Sequence, residues 1–469
     1  MKRILMLLAV ACAMQTAFTA CSKDDGPANE VPQVSEEERI ALKAKKFVYD
    51  YTKEAYLWEA HIPGTVDYRT AAGPEELFEQ MRYKALDKWS YVSEQSDEVM
   101  DGFQGVSTTY GYSLIFGRFT NTNNLFAVVE FVYADSPAAK AGIKRGDFIL
   151  QFNGQNLTES NYKNLYYSPK ADLGMGVIQG DNTLALSETK SLVAVKMYED
   201  PVVEAKVLDV DGKKIAYLFY AGYYAESHDK LVKVFQEFEQ QGATDLILDL
   251  RYNPGGNADT PPFLASLIAP AQYVKQGSLF LAQSWNALYN AYFAQQGLDM
   301  NVYFHKDIPV NLNLNTVYVL TTSSTASASE ATISGLTPYM DVVKIGSSTH
   351  GKYCGAALLT ATDANGNPDP EIENWLLSLV VYKFVNKDGF TEFKDGIAPD
   401  LEVEDDGLMA GIPLGDPSDP MIAKAISLIT GTETKAALPH TFAKDIEILP
   451  QMSERPFRGG YTTIGLNIF

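Results

Sequence analysis

The sequence has little cysteine, little histidine and a deficit of positive charge. Its cysteines are Cys12, Cys21 and Cys354, too few and too scattered for a disulfide framework. The 5 histidines form neither an HExxH motif nor a paired spacing, so no metal and no other cofactor is expected. With 38 basic against 59 acidic side chains, a net charge of -21 and no dense Lys/Arg run, no nucleic acid partner is expected either.

The N-terminus has the pattern of an export signal. Two basic residues precede a short apolar run, and small residues follow it, which is typical of a signal peptide over residues 1–20 and not of a transmembrane helix. Phe18-Thr19-Ala20-Cys21 resembles a bacterial lipobox, which predicts cleavage before Cys21 and lipidation of its sulfur. The acidic stretch 22–25 resembles a surface-export signal of some lipoproteins. We therefore expect an exported lipoprotein of the cell envelope, anchored in the outer membrane on its periplasmic or surface face.

The centre of the chain has a serine-rich turn between a strand and a helix. A β-branched and aromatic run at 317–322 predicts a buried strand, and 328–336 has a helical period. A serine at a helix start lies beside unpaired N–H groups that can hold an oxyanion. Ser327 is therefore the candidate nucleophile, and the amide of Ala328 is a candidate oxyanion donor. In the alternative interpretation, Ser327 and Glu330 form only a capping box.

A serine nucleophile needs a base, and Lys352 is the candidate. It follows a second short strand, 342–346, so a strand–helix–strand path can return it to the sheet edge that carries Ser327. For a neutral amine near pH 7, its pKa must fall by about 3 from about 10.4, a change worth about 4 kcal/mol. That requires a largely dry pocket. Two neighbours offer alternatives, with Cys354 as the nucleophile or His350 as the base.

Three segments of the chain resemble the S41 peptidases, the C-terminal processing or tail-specific proteases. They are TASASE, with GK placed so that the lysine follows the central serine by 25 positions, DLRYNPGG at 249–256, and GIAPD at 396–400. The resemblance implies a Ser/Lys dyad made of Ser327 and Lys352. It also implies a second oxyanion donor at Gly255 or Gly256, where the absence of side chains lets the backbone approach a substrate carbonyl.

Two positions depart from the family pattern. Members often have a glutamine four positions after the lysine, where this chain has Ala356, or an aspartate 11 positions after the serine, where it has Pro338. The third member of the site therefore stays open. The nearest carboxylates in the sequence are Asp341 and Glu330.

A second module precedes the serine core. Residues 128–154 follow the order strand, short Ala-rich helix and strand, and they resemble a PDZ domain most closely at 136–143 and 146–149. A PDZ domain captures a peptide as an added strand and holds its terminal carboxylate on backbone amides. The candidate carboxylate loop contains Gly111, Tyr112, Ser113 and Leu114, and the alternative is an ordinary strand entry.

The order of strands and helices after residue 213 predicts an α/β core with a largely parallel sheet. The resemblance implies a crotonase-like (ClpP/crotonase) protease core with an N-terminal helical region and an inserted PDZ domain. Within the core, the aromatic segment 272–314 either covers the active site or forms a satellite core, and we favour the satellite core. The predicted divisions are a signal peptide at 1–20, a lipid-anchored tether at 21–35, the helical region at 36–100, the PDZ-like domain at 101–205, the protease core at 206–435 and a C-terminal extension at 436–469.

The sequence therefore predicts a serine endopeptidase that acts on polypeptides with a free C-terminus and contacts a membrane through its lipid. Two other classes stay open. The chain could be a non-catalytic peptide-binding lipoprotein that keeps the protease scaffold, or a crotonase-like acyl-CoA enzyme, although the latter explains neither the PDZ-like segment nor Lys352. The sequence does not specify an oligomeric state.

Overall fold

The computed structural model describes residues 35–122, 124–363, 366–432 and 445–449. The predictions for the signal peptide, for Cys21, for residues 22–34 of the tether and for most of the C-terminal extension lie outside these residues. Within them, no helix combines the length and the apolar character that crossing a bilayer requires. The described residues from Ile40 onward belong to one compact unit.

The helices of the described residues are mostly short, and only the first exceeds 13 residues. They are α1 (Glu36–Ala55), α2 (Pro74–Met81), α3 (Ser96–Phe103), α4 (Pro137–Lys140), α5 (Asn164–Tyr167), α6 (His228–Gln240), α7 (Thr260–Ile268), α8 (Ala271–Gln276), α9 (Ala287–Gln296), α10 (Ala328–Leu336), α11 (Asp406–Met409) and α12 (Pro420–Thr430).

The strands of the described residues fall into three larger sheets and one two-stranded ladder. They are β1 (Tyr91–Ser93), β2 (Val106–Thr109), β3 (Tyr112–Phe119), β4 (Leu125–Val132), β5 (Phe148–Phe152), β6 (Gln155–Asn156), β7 (Lys170–Ile178), β8 (Leu184–Val193), β9 (Val195–Tyr198), β10 (Val202–Val210), β11 (Lys213–Tyr220), β12 (Asp245–Asp249), β13 (Leu279–Trp285), β14 (Val302–Tyr303), β15 (Thr316–Thr321), β16 (Asp341–Gly346), β17 (Cys354–Thr360), β18 (Leu376–Asn386), β19 (Leu401–Glu402) and β20 (Ile446–Ile448).

The core sheet has the order β10-β11-β12-β15-β16-β19, and each neighbouring pair after β10-β11 is parallel. Both faces of this sheet are buried. Along β11, Leu218 and Tyr220 face a core shared with α6 and α7, while Tyr217 and Phe219 face a second core shared with α12. A parallel sheet covered on both faces requires such continuous apolar strands. The predicted α/β core is confirmed, and it brings the ends of β15 and β16 to one edge.

A second sheet has the order β1-β18-β13-β14, with β17 also paired to β18. It shares the apolar core on the face of the core sheet that α6 and α7 cover. The aromatic segment 272–314 supplies β13, β14 and the helix between them. Its residues Trp285, Tyr289 and Phe293 belong to the main apolar core, together with residues of the core sheet. The prediction of a separate satellite core is therefore wrong, because this segment completes a sheet instead of standing apart.

The PDZ-like region forms an antiparallel sheet of order β20-β3-β4-β5-β7-β8. It has its own apolar core, which includes Leu114, Phe116, Ile149 and Leu173. Its outermost strand, β20, comes from the far end of the chain and pairs with β3. The predicted C-terminal extension thus contributes a strand to the PDZ-like sheet.

The buried Arg251 side chain holds the end of β12 to the loops around it. Its guanidinium lies 2.7 Å from Asp249, 2.9 Å from Asp419 and 2.8 Å from Asp405. Burial opposes the charge of Asp419, but Arg251 and Arg145 outweigh it and hold the pKa of Asp419 below its usual range. Three carboxylates therefore share the fully buried Arg251, and Arg145 adds a second positive charge next to Asp405 and Asp419.

Replacing Arg251 with Met should lower the free energy of unfolding by about 3 to 5 kcal/mol, because the buried carboxylates lose their counter-charge. Urea denaturation followed by tryptophan fluorescence measures this loss. The matched control is Arg69→Met, which should cost far less, because Arg69 pairs with Asp67 on the surface with 67% of its side chain exposed. Equal effects of the two substitutions would contradict the assignment of Arg251 as a core support.

Candidate active site

Ser327 lies in the turn between β15 and the first residue of α10, as the sequence predicts. Its side chain is fully buried, and its φ is +56°. A non-glycine residue with positive φ and a ψ of -107° is strained, and such strain is frequent at functional sites. The surrounding turn is fixed to the loop after β12, because the Ala326 amide donates to the Asn253 carbonyl at 3.0 Å.

The carboxylate of Glu330 joins the Ser327 turn to the Lys352 loop. Its Oε2 accepts the amide of Ser327 at 2.8 Å and the amide of Lys352 at 2.9 Å. The two amide nitrogens are therefore no farther apart than the sum of these distances. Its Oε1 accepts the Thr349 hydroxyl and the Gly351 amide, each at 2.6 Å. Glu330 thus does more than cap α10.

The electrostatics of Glu330 reflect two opposing influences. Burial raises the pKa of Glu330 to about 7, while the hydrogen bonds from Thr349, Gly351, Ser327 and Lys352 oppose that rise. Four donors converge on the two oxygens, and such an arrangement suits an ionised carboxylate.

Lys352 lies in the dry environment that a lysine base requires. Its side chain is only 2% exposed. Burial lowers the pKa of Lys352 to about 8, against smaller opposing contributions from Cys354, Asp87 and Glu330. Burial also raises the pKa of the Cys354 thiol well above its usual range. Cys354 is therefore held as a neutral thiol, which argues against its role as the nucleophile.

The Lys352 loop is braced by the segment that contains GIAPD. The Ile397 amide donates to the Thr349 hydroxyl oxygen at 2.7 Å, and the Thr349 amide donates to the Ile397 carbonyl at 3.1 Å. A side chain on Gly396 would come within 2.1 Å of the Thr349 carbonyl oxygen. The GIAPD segment therefore supports the loop that carries Lys352.

The glycine pair of the DLRYNPGG segment lies against the serine turn. A Cβ on Gly255 would lie 2.8 Å from both the Cβ of Ser327 and the amide nitrogen of Ala328. The Gly255 N–H donates to the Asn253 side chain at 2.8 Å. The Gly255 N–H is thus already engaged, whereas Gly256 lies against the Tyr223 carbonyl.

Three comparisons match these features to known proteins. Residues 214–403 match the Peptidase family S41, residues 43–91 match the Peptidase S41 N-terminal domain, and residues 128–167 match a PDZ domain. The core of the chain, residues 214–403, belongs to peptidase family S41. This core is that of a serine-type peptidase, and the predicted N-terminal helical region and inserted PDZ domain are confirmed.

Individual relatives agree with the family. The carboxyl-terminal-processing protease of Synechocystis sp. is 24% identical over 64% of this chain and 64% of its own length. The carboxy-terminal processing protease CtpB of Bacillus subtilis is 22% identical over 68% of this chain and 59% of its own length. A crystal structure assigned to the S41 proteases, from Bacteroides fragilis, covers 82% of this chain and 97% of its own, with 25% identity and a TM-score of 0.68.

The positions where this S41 peptidase departs from the family pattern carry no polar side chain. Ala356 is buried in β17, and Pro338 lies in the turn after α10. Of the two carboxylates left open by the sequence, Asp341 is exposed at the start of β16, whereas Glu330 is buried in the site. The sequence offers Glu330 as a capping residue and as one of the nearby carboxylates, but it does not reveal the hydrogen bond that Glu330 accepts from the Lys352 loop.

The N-terminal domain of the peptidase supplies contacts that sequence reasoning missed. Asp87 is fully buried, accepts the Tyr56 hydroxyl at 2.7 Å and contributes to the charge environment of Lys352. The indole N–H of Trp89 donates to Nε2 of His350 at 3.4 Å, and its ring packs edge-on against Tyr353. His350 is thereby held at the interface between this domain and the Lys352 loop.

A cleft of about 530 Å³ opens beside this contact. It runs between the N-terminal domain and the second sheet, with Trp58, His61, Trp285 and Tyr353 among its walls. One of its wall residues, Tyr353, directly follows Lys352 in the chain. Ser327 and Lys352 themselves do not line the cleft.

Arg145 connects the PDZ domain to the loop of the glycine pair. Its guanidinium donates to the hydroxyl of Tyr252 at 2.7 Å and to the Glu130 carbonyl in β4 at 2.9 Å. It also lies 3.2 Å from Asp405 of the core. Tyr252 immediately follows Arg251, so one buried cluster supports both domains.

The candidate carboxylate loop of the PDZ domain has buried side chains. Tyr112, Ser113 and Leu114 are at most 4% exposed, and Gly111 has a φ of +82° and lies against Ser136. A peptide at this loop would therefore meet its backbone and not its side chains, as the PDZ mode of recognition requires.

Replacing Lys352 with Met should raise the free energy of unfolding at pH 7 by as much as about 3 kcal/mol, because the buried ammonium destabilises the folded state. The gain should shrink as the pH rises from about 8 towards 10.5, where the folded-state amine loses its proton before the unfolded one. Urea denaturation at pH 7 and pH 10 measures both effects. The control Lys233→Met, at an exposed position of α6, should show neither. A loss of stability for Lys352→Met at pH 7 would contradict the assignment of a desolvated amine.

Proposed function

We propose that this protein is a serine endopeptidase that cleaves polypeptides near their C-termini, with Ser327 as nucleophile and Lys352 as general base. The observation that carries the proposal is the burial of Lys352, which lowers its pKa to about 8. The adjoining turn holds Ser327, which is strained and buried. Glu330 holds the backbones of both residues on one oxygen atom. Only a neutral amine can accept the serine proton, and burial is what makes the neutral form accessible.

The mechanism follows from these positions. Neutral Lys352 removes the hydroxyl proton as Ser327 attacks the scissile carbonyl, and the amides of Ala328 and Gly256 stabilise the oxyanion. The resulting ammonium then protonates the leaving amine, which leaves an acyl-enzyme on Ser327. A water molecule, deprotonated by the same lysine, releases the acyl group and restores the serine.

We further propose that the PDZ domain presents the C-terminal end of the substrate and that the chain is held in the cell envelope through a lipid on Cys21. The support for the first is the PDZ domain joined to the glycine-pair loop through Arg145. The support for the second is the lipobox-like sequence that ends in Cys21. The relatives named for carboxyl-terminal processing support the substrate class.

The non-catalytic alternative rests on one observation, which is that Ala356 and Pro338 stand where the family often has a polar third member. Glu330 and Asp87 are buried carboxylates in the environment of Lys352, and we propose that they take the place of that third member. The two functions differ in whether Ser327 turns over a substrate.

Replacing Ser327 or Lys352 with Ala should each lower kcat/KM on an unfolded polypeptide by at least about 10³-fold, because each removes a group that acts in bond cleavage. Release of fluorescent fragments from a labelled substrate gives the rates, and a fluorophosphonate probe reports the serine directly. The matched controls are Ser323→Ala, an exposed serine of the same turn, and Lys344→Ala, which pairs with Asp400. Undiminished turnover in either site variant would overturn the dyad. A wild-type protein that neither cleaves nor reacts with the probe would establish the non-catalytic alternative.

The rate should rise with pH because Lys352 must be neutral. With a pKa of about 8 for the buried amine, kcat/KM should increase about tenfold between pH 7 and pH 9 and level off above that. The control His350→Gln tests the other base and should keep the same midpoint. A midpoint near 6.5 that disappears in His350→Gln would assign the base to histidine instead.

A further inference from the structure

The outer edge of the PDZ sheet is occupied by the chain's own C-terminal segment. Strand β20 runs antiparallel to β3, with Ile446 opposite Phe119 and Ile448 opposite Gly117. The pairing continues one residue further, where the Leu449 amide donates to the Phe116 carbonyl at 2.8 Å. A PDZ domain binds its ligand by adding a strand to a sheet edge in this manner.

The direction of this strand is that of a ligand approaching the candidate carboxylate loop. From residue 446 to residue 449 the segment passes from the end of β3 towards its beginning at Tyr112, next to Gly111. The Leu449 side chain is 6% exposed and belongs to the same apolar core as Leu114 and Leu165. A surface strand that merely closed a sheet would not need to place its last described side chain in that core.

A charge pair adds to the fit. Glu447 lies 2.5 Å from Arg118 of β3, and both side chains are more than 40% exposed. Such a pair adds little affinity by itself, but it favours an acidic residue two positions before the buried apolar one. The edge is thus matched to an extended peptide with an acidic residue two positions before a buried apolar residue.

We infer that residues 445–449 are an intramolecular ligand of the PDZ edge that a substrate's C-terminal peptide must displace. This inference rests on the PDZ-assisted recognition proposed above. A ligand on the same chain acts at an effective concentration on the order of mM, so it blocks weak peptides and admits strong or locally concentrated ones. In this occupied state Ser327 is fully buried, which agrees with a resting form of the peptidase.

The test measures peptide binding without turnover, in the full chain carrying Ser327→Ala. The probe is a fluorescein-labelled peptide with the sequence of residues 445–449, DIEIL, followed by fluorescence anisotropy. Adding Leu449→Asp removes the buried anchor of the internal strand, so the peptide should bind at least about tenfold more tightly than to the parent. Hydrogen exchange at the amides of residues 117–119 should become faster in the same variant.

A charge exchange, measured without the peptide, controls for general damage to the domain. Glu447→Lys alone should speed hydrogen exchange at residues 117–119 by a few-fold at most, and Arg118→Glu added to it should restore the pairing with β20 and reverse the change. Equal affinity of the parent and Leu449→Asp, or unchanged exchange at residues 117–119, would overturn the inference. Because binding is measured on an inactive serine variant, that result would leave the proposed peptidase activity intact. A protein without turnover could still show the displacement.

Discussion

The carboxylate of Glu330 is the constraint on which the site depends. It is buried at the first turn of α10 and accepts hydrogen bonds from the backbone on both sides of the site, at Ser327 and at Lys352. The serine turn and the lysine loop belong to different strand ends and are joined through this carboxylate and through the His350 amide, which donates to the Thr325 carbonyl at 2.9 Å. The family's usual third polar residue is absent at Ala356 and Pro338, while the carboxylates of Glu330 and the buried Asp87 contribute to the charge environment of the lysine.

Such a site stores unfavourable energy. A lysine amine is held away from water and the serine has a positive φ of +56°, and neither would persist in a loosely packed turn. The fold around the site supplies the stabilising interactions that offset this cost. Both faces of the parallel sheet are buried, and the Arg251 cluster ties the end of β12 to two segments near residues 405 and 419. Rigid neighbours keep the strained residues in place, which is the usual condition for a preorganised site.

Much of the core could be predicted because its signals are local. The helix at 328–336 and the parallel strands on either side follow from apolar periods within a few residues, and together they place Ser327 and Lys352 at one edge. The contact between Trp89 and His350 spans 261 positions and leaves no local pattern. The pairing of β20 with β3 is equally remote, and three residues are too few to show a period. The aromatic segment 272–314 was assigned wrongly for a related reason, since a run of aromatic residues indicates burial but not which core it joins.

Under the proposed mechanism, access of the substrate to Ser327 limits turnover more than activation of Lys352 does. Burial alone brings the Lys352 pKa to about 8, so a useful fraction of the amine is neutral near physiological pH without a further activating residue. The serine, however, is fully buried, with the 87–90 loop of the N-terminal domain packed against the lysine loop and the PDZ edge filled by β20. In the proposed mechanism, the substrate must therefore open this enclosure before Ser327 can attack. An added strand at the PDZ edge can supply part of the required binding energy there, because the Arg145 side chain already links that domain to the glycine-pair loop through Tyr252.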